Sequence, residues 1–394
     1  MNEQYDLIVV GAGVLGTFHA YHAVKSGLKT ALLEKDARPQ GATVRNFGQV
    51  VPSGMNTKWQ AYGRESLRIY KEIQSEFDIS LRQEGSVYLA SNDEEVCLIE
   101  ELHRLNSDND YPSRMLTKQQ CLEKYPGLRG DYVKAGLFFP EEIIIEPRVM
   151  IHRLHEYLVS LGLDLFFNKT VLECDALSTG IEVYTSDSRS LSAAKVIVCN
   201  GSDFKILYPK LFDDSDLVVS KLQMMQTRTQ QNYRLPGSIL TGLSIRRYEA
   251  FEECPSYLSI KAREDEASLE KKWGVHILFK QAIDGSVILG DSHQYAAAGN
   301  IEELGIDLDM NIDNFILQEA QKIIDLPTYE IQNRWIGLYS QCKRSDIYQR
   351  TIEENIHIVT GIGGKGMTGS AGFAKRNIRS IFNLGQVETG AIQH

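Results

Sequence analysis

The sequence predicts an α/β protein in which a parallel sheet carries helices on its faces and a second, β-rich unit is inserted. Three observations predict it. Leu7-Ile8-Val9-Val10 is continuously apolar, as a strand covered on both faces must be, and a glycine-rich turn follows at once. Residues Val14 to Ser26 place Leu15, Phe18, Ala20, Ala23 and Val24 at helical spacing, stop at Gly27, and lead into a strand at Thr30 to Leu33. From about 217 to 332 the pattern changes to β-rich pieces, Val218 to Met225, Leu258 to Ile260, Val275 to Phe279 and Val287 to Gly290, the mark of an antiparallel unit.

The rest of the chain follows the first pattern. After a loop from Lys35 to about Pro52, Trp59, Tyr62, Ser66, Tyr70, Ile73 and Phe77 recur every three to four residues and predict a long amphipathic helix. The stretch 85–145 carries mixed signals. Pro147 opens a helix closed by Gly162, Leu165 to Phe167 and Val171-Leu172 read as strands, Ile181 to Thr185 alternates, and Lys195 to Cys199 is another buried run. Ile356 to Thr360, a glycine loop and a helix from about Met367 to Leu384 return to strand-loop-helix form, while the charge run Lys261 to Lys272 reads as a solvated helix or loop.

Composition narrows the function classes. The 394 residues suffice for two or three domains, or two interleaved ones, and 43% hydrophobic against 24% charged residues is a globular balance. With 52 acidic against 42 basic side chains the net charge is −10, without a Lys/Arg-rich block, which argues against a nucleic-acid partner. The six cysteines contain no CxxC, which argues against a zinc knuckle or a disulfide framework. No apolar run approaches the ~18 residues of a membrane span, and no basic leader precedes Leu7, so a cytoplasmic protein is expected.

Two glycine clusters carry the chemistry. Gly11-Ala-Gly13-Val-Leu-Gly16 follows a buried strand and opens a helix, where a dinucleotide fingerprint must sit: Gly11 for the tight turn, Gly13 for close approach of a pyrophosphate, Gly16 for helix-sheet packing. Glu34 ends the second strand, where its carboxylate can accept from ribose hydroxyls. This is the Rossmann-like signature shared by FAD and NAD proteins. Gly361-Ile-Gly363-Gly364-Lys365-Gly366-Met367-Thr368 also follows a strand and opens a helix, and two such turns suit the longer cofactor, FAD, with amides and Lys365 aimed at the pyrimidine edge of its ring.

On these residues the sequence resembles the D-amino-acid oxidase superfamily of FAD-dependent amine oxidases, which includes glycine oxidase and sarcosine oxidase. The resemblance covers nearly the whole chain: the fingerprint, Gly41 to Gln49, Pro147-Arg148 before Val171, Val196 to Gly201, Arg334 to Tyr339 and the C-terminal glycine loop. Within the superfamily the pattern is similar to a branch associated with phosphonate catabolism, on Arg45-Asn46-Phe47-Gly48, Lys221-Leu-Gln223-Met-Met, Gly290-Asp291-Ser292-His293 and Gly363 to Thr368. It implies a discontinuous FAD-binding domain of residues 1–82, 146–216 and 333–394, with 83–145 and 217–332 as a mixed or antiparallel substrate domain. It implies cofactor contacts from Gly11, Gly13, Val14, Leu15, Gly16, Glu34, Lys35, Thr43, Arg45, Asn46, Phe47, Gly48, Val171, Gly201, Gly363, Gly364, Lys365, Gly366, Met367 and Thr368.

One departure sets the substrate expectation. Glycine oxidase-like members follow a tryptophan-x-glycine-leucine string with an arginine that clamps the substrate carboxylate, and sarcosine oxidase-like members place there the cysteine that bonds to FAD. Here Trp335-Ile-Gly337-Leu is followed by Tyr339. The resemblance therefore implies non-covalent FAD and disfavours a simple α-amino acid. Anion binding passes to Lys365, Arg334, Lys221 or His293, with Gln49, Trp335 and Tyr339 as further substrate contacts and Lys365, Tyr339 and His293 as catalytic candidates. The expected reaction is oxidation of the C–N bond of a small amine by hydride transfer to flavin N5, followed by reoxidation by oxygen or another acceptor. The expected substrate is an aminophosphonate such as 2-aminoethylphosphonate or its N-methyl derivative; the alternative is a secondary amino acid of the sarcosine, glycine or proline type, or a 2-hydroxy acid. No metal is expected, because the helical pairs His19/His22 and His152/His155 lack a completing carboxylate or cysteine. Asp291-Ser292-His293 is not a hydrolase triad, since neighbours on a strand face opposite ways.

Overall fold

The computed structural model describes residues 4–384; the chain ends 1–3 and 385–394 of the expected domain division lie outside them. Gln4–Val10 lies inside an eight-stranded sheet. Its neighbours are Thr30–Leu33 and Ser190–Val198, both parallel, and Val10 stands level with Leu33 and Val198. The chain passes first to one side of the central strand and then to the other. The strand order therefore reverses there, and a crevice opens beyond the carboxyl ends. Asp164–Phe166 extends the sheet on one side; Ile356–Thr360, parallel, and Tyr348–Ile352, antiparallel, extend it on the other.

Helix Val14–Lys25 is buried from Val14 to Ala23, because it lies between the sheet and helix Gly366–Ile381. Its histidines belong to the core. His19 Nδ1 donates to Leu15 O at 2.7 Å, and His22 Nε2 donates to Ala371 O at 2.9 Å. Helix Thr57–Glu76 starts at Asn56, whose side chain accepts from Trp59 N, and packs against Gly366–Ile381. That approach needs glycine: a Cβ on Gly372 would overlap the Tyr62 carbonyl oxygen, and one on Gly369 would lie 2.8 Å from the Trp59 ring. Trp59 in turn stacks on Phe373 with centroids 5.6 Å apart, which fixes where the C-terminal glycine loop enters its helix.

A nine-stranded sheet forms the second layer system. Leu217–Thr229 is its longest strand and pairs with Ser286–Gly290, Gln294–Ala297 and Ile331–Cys342. The sheet continues through Leu278–Gln281 and Ser238–Leu240 to Ser86–Ala90, Ala135–Phe139 and Arg114–Thr117. The join of Ser238–Leu240 to Ser86–Ala90 is parallel and the remaining pairings are antiparallel, so the sheet is mixed. The stretch with mixed sequence signals thus supplies three strands of this sheet. Ile331–Cys342 runs along Leu217–Thr229 for its length, so the expected boundary at residue 333 passes through a strand of the second sheet.

Two expected strands differ. Leu258 to Ile260 lies in helix Tyr257–Lys261, where Tyr257 and Ile260 are buried and Leu258 is 77% exposed; three residues of alternation were outweighed by an i, i+3 pair. In Val275 to Phe279 the strand proper begins at Leu278. His276 nonetheless exchanges both backbone hydrogen bonds with Asp291, at 3.0 and 2.8 Å, and holds the two side by side. The charge run ends in helix Leu269–Lys272, with Glu264 bridging Lys261, Lys271 and Arg246.

Candidate active site

The glycine turn is built by backbone contacts that only glycine permits. Gly11 has φ +99°, its N–H donates to Leu33 O at 2.7 Å, and a Cβ there would overlap the Cys199 carbonyl. Gly13 precedes helix Val14–Lys25 without a capping side chain, so the helix N-terminus faces the crevice. Thr43 Oγ1 accepts from Val14 N at 2.9 Å and ties the Ala42–Val44 turn to that end. Glu34 accepts from Ala12 N at 3.0 Å and Asp36 N at 3.2 Å; burial raises its pKa, and the two N–H donors oppose the rise.

These groups open into a cavity of about 1070 Å³ between the two sheets. Of the residues expected at the cofactor, Gly11, Gly13, Val14, Leu15, Gly16, Glu34, Lys35, Thr43, Asn46, Phe47, Val171 and Gly201 line it, as do Gly363 through Thr368. Lys35 pairs with Asp203 at 2.5 Å on its rim. Two buried polar atoms on this wall have no protein partner, Gln49 Nε2 and Asn200 Oδ1. A long polar ligand fits such a wall, because buried polar atoms otherwise remain unpaid for in hydrogen bonds.

Arg45 and Gly48 stand off the cavity. Arg45 Nε donates to Gln40 O at 3.2 Å, and the Arg45 carbonyl accepts from Trp335 Nε1 at 3.1 Å. Gly48 has φ +76°, and a Cβ there would overlap Ile145 O; it donates to Asn46 Oδ1 at 2.7 Å, so it shapes the turn beside the cavity.

Three of the expected substrate contacts also lie elsewhere. Lys221 is 4% exposed and donates to the carbonyls of Leu304 and Asp307, at 2.8 and 2.6 Å. Arg334 pairs with buried Asp313 at 3.0 Å. Trp335 is buried under Arg148, whose guanidinium lies 5.4 Å from its ring centroid. Each of these side chains already has its partner inside the protein, and none borders the cavity.

Gln49, Tyr339, His293 and Lys365 do border it. Lys365 lies at the start of helix Gly366–Ile381, with Nζ 2.6 Å from Glu249 and 3.4 Å from Asp346. Tyr339 is buried, and burial with the nearby Asp291 charge pushes its phenol well above the usual range. Burial holds His293 neutral, lowered to about 3 although Asp291 opposes the shift. Asp291 itself is 5% exposed; burial would raise its carboxyl, but His276 and His293 draw it below the usual range.

His276, Arg247 and Tyr248 complete this end of the cavity. Sequence reasoning missed all three. His276 sits in an apolar run that reads as core, and the one signal was a histidine inside that run. Arg247 and Tyr248 lie between the short helices Gly242–Ile245 and Glu249–Glu252, which carry too few residues for a periodic pattern. Arg247 differs from Lys35 and Lys365 in its partners: it donates to Gly274 O at 2.9 Å and to the Tyr295 hydroxyl at 2.8 Å, both neutral.

The sequence pattern of one family, DAO, the FAD dependent oxidoreductases, matches residues 6–377. The chain belongs to this family. This oxidoreductase is 23% identical over 388 residues to a glycerol 3-phosphate dehydrogenase of Caloramator mitchellensis, a match covering 96% of the chain and 74% of that relative. It is 25% identical over 210 residues to glycine oxidase of Bacillus subtilis (strain 168), covering 51% of the chain and 55% of that enzyme. Its fold is similar to that of glycine oxidase from Geobacillus kaustophilus, with a TM-score of 0.77 at 15% identity, covering 98% of this chain and 96% of that one. The α/β architecture with a mixed second sheet is therefore the fold of this oxidoreductase family, and FAD is its cofactor. Among the described residues no helix is long and apolar enough to cross a membrane.

Proposed function

We propose that this FAD-dependent oxidoreductase oxidises the C–N bond of a small amine that carries an anionic group, an aminophosphonate such as 2-aminoethylphosphonate or its N-methyl derivative. FAD, when bound, would supply the hydride acceptor, with oxygen or another acceptor as the final oxidant. The observation that carries the substrate reading is Arg247, a guanidinium at the second-sheet end of the cavity whose hydrogen-bond partners are neutral. It takes the anion-binding role that the sequence assigned to Lys365, Arg334, Lys221 or His293, and it suits an anion with several oxygens. Tyr339, where related oxidases carry an arginine, gives this site no second guanidinium for a carboxylate.

The cofactor reading assigns each wall a role. Amides of the Gly11–Gly16 turn take the pyrophosphate, and Glu34 accepts from the ribose hydroxyls. Val171 would lie by the adenine and Gly201 by the ribityl chain. Thr43, Asn46 and Phe47 would flank the middle of the cofactor, while Gly363 to Thr368 with Lys365 would hold the pyrimidine edge. Tyr339 stands where related oxidases carry the cysteine that attaches FAD, so FAD is held here without a covalent bond. The chain's residues orient the amine and exclude water; Lys365 and the loop amides would hold the pyrimidine edge of FAD and favour negative charge there.

The test is turnover with trapping of the carbonyl product. The FAD-loaded protein is given 2-aminoethylphosphonate, N-methyl-2-aminoethylphosphonate, glycine, sarcosine and glycerol 3-phosphate separately. Phosphonoacetaldehyde from either phosphonate supports the reading. Glyoxylate alone, from glycine or sarcosine, keeps amine oxidation but rejects the phosphonate. A product from glycerol 3-phosphate alone replaces C–N by C–O oxidation.

A further inference from the structure

We propose that His276, Asp291 and His293 form a binding site for one divalent transition-metal cation, with Zn²⁺ and Co²⁺ as fitting ions, at the second-sheet end of the cavity. Two imidazoles and a carboxylate offer donor atoms that all lie within 4.8 Å of one another. Neutral nitrogen and anionic oxygen in that ratio suit a borderline cation of the first transition row.

Asp291 is 5% exposed and borders the cavity. Nε2 of His276 lies 2.6 Å from its Oδ1. The two form a hydrogen-bonded imidazole–carboxylate pair, and a divalent cation takes the place of the proton they share, since metal binding releases protons from its ligands. The neighbouring guanidinium of Arg247 directs its donors to Gly274 O and the Tyr295 hydroxyl and leaves the carboxylate to the two rings.

The outer contacts of the two rings complete the pattern. His293 Nδ1 donates to Gly274 O at 3.1 Å, and His276 Nδ1 pairs with Ser244 Oγ at 3.1 Å. Histidine ligands are generally oriented in this way by the nitrogen that does not bind metal; for His276 that leaves Nε2, the atom beside Asp291, whereas His293 faces Asp291 with the same Nδ1 that donates to Gly274 O and must release that carbonyl or turn its ring to ligate. His276 and Asp291 are locked in register by their reciprocal backbone hydrogen bonds. Neighbouring ligands of a filled site lie roughly 3 Å apart, so loading draws His293 inward toward Asp291, from which its Nδ1 is 3.8 Å distant. Three protein ligands leave coordination positions open toward the cavity, where an oxygen of water or of an anionic substrate completes the sphere.

The site does not depend on the amine reading, and its test reads metal content and needs no substrate. FAD-loaded protein is stripped with a chelator, dialysed against Zn²⁺ or Co²⁺ alone and desalted. Metal per chain is measured by mass spectrometry and flavin per chain by absorbance. The wild type is expected to keep about one ion per chain. Asp291→Asn and His293→Gln are each expected to lose it at least tenfold at unchanged flavin content, while His152→Gln, at a half-buried histidine elsewhere, keeps it. Flavin content and circular dichroism decide whether either variant is folded. Less than about a tenth of an ion on the wild type, or full retention by a folded Asp291→Asn or His293→Gln, overturns the proposal and leaves His276 and Asp291 a hydrogen-bonded pair.

Discussion

Nδ1 of His293 and Nη1 of Arg247 donate to one acceptor, the carbonyl oxygen of Gly274, at 3.1 and 2.9 Å. The shared carbonyl fixes the imidazole tautomer and parks the guanidinium beside it, so an uncharged ring and a permanent cation stand together at the second-sheet end of the cavity. Neither residue is placed by its own strand: the loop at Gly274 brings together two residues 46 positions apart in sequence.

Arg247→Met should therefore weaken the binding of an anionic amine without removing the cofactor. A charge-assisted bidentate contact is worth about 1.5–3 kcal/mol, or roughly ten- to a hundredfold in KM. Steady-state kinetics with 2-aminoethylphosphonate and with ethylamine measure it. The variant should lose the preference for the phosphonate, and a preference that survives intact would remove Arg247 from the site.

Lys365→Met should slow reduction of the flavin by about a hundred- to a thousandfold, the range for loss of one preorganised electrostatic donor. The lysine is held by Glu249 and Asp346, so its ammonium is fixed in place and also partly neutralised. Anaerobic stopped-flow absorbance is the measurement, and an unchanged rate constant would assign Lys365 to structure alone.

Three core histidines predict loss of stability on acidification. Burial lowers His19 to about 4, His22 to about 3 and His155 to about 4. Each stays neutral in the fold, while the unfolded chain takes up a proton near pH 6.5. The unfolded state thus binds more protons between about pH 6.5 and 4, and stability falls as pH drops through that window, by about 1.4 kcal/mol per pH unit for each group at full effect. Thermal unfolding at pH 7, 6 and 5 should show a steepening loss, and His22→Gln, which retains a donor for Ala371 O, should flatten it.

Gly372→Ala should destabilise the protein by about 1–3 kcal/mol through overpacking. The added methyl meets the Tyr62 carbonyl, which belongs to a helix backbone and cannot swing aside. Denaturant unfolding gives the size, and a neutral result would mean that the two helices separate at little cost.

The cofactor half of the molecule was legible because its chemistry is local. Gly11, Gly13 and Gly16 stand within six residues, and Glu34 follows on the next strand, so a short string already encodes the turn, the helix start and the carboxylate. The substrate end was not legible in this way. Lys221 and Arg334 had the right charge and neighbourhood, yet strand pairing turned each toward an internal partner, the Leu304 and Asp307 carbonyls and Asp313. Arg247 and His276 gave no periodic signal, and their meeting with Asp291 and His293 is a product of strand register and of a loop at Gly274. The helix at Leu258 shows the same limit at small scale: Tyr257 and Ile260, not the Leu-Ser-Ile alternation, set the local conformation.

The most direct test of the account is the visible spectrum of the purified protein before and after anaerobic addition of 2-aminoethylphosphonate or its N-methyl derivative. A flavin band that bleaches with either phosphonate, and far less with glycine or sarcosine at equal concentration, is the predicted result. A band that bleaches with glycine or sarcosine and is untouched by both phosphonates would contradict it.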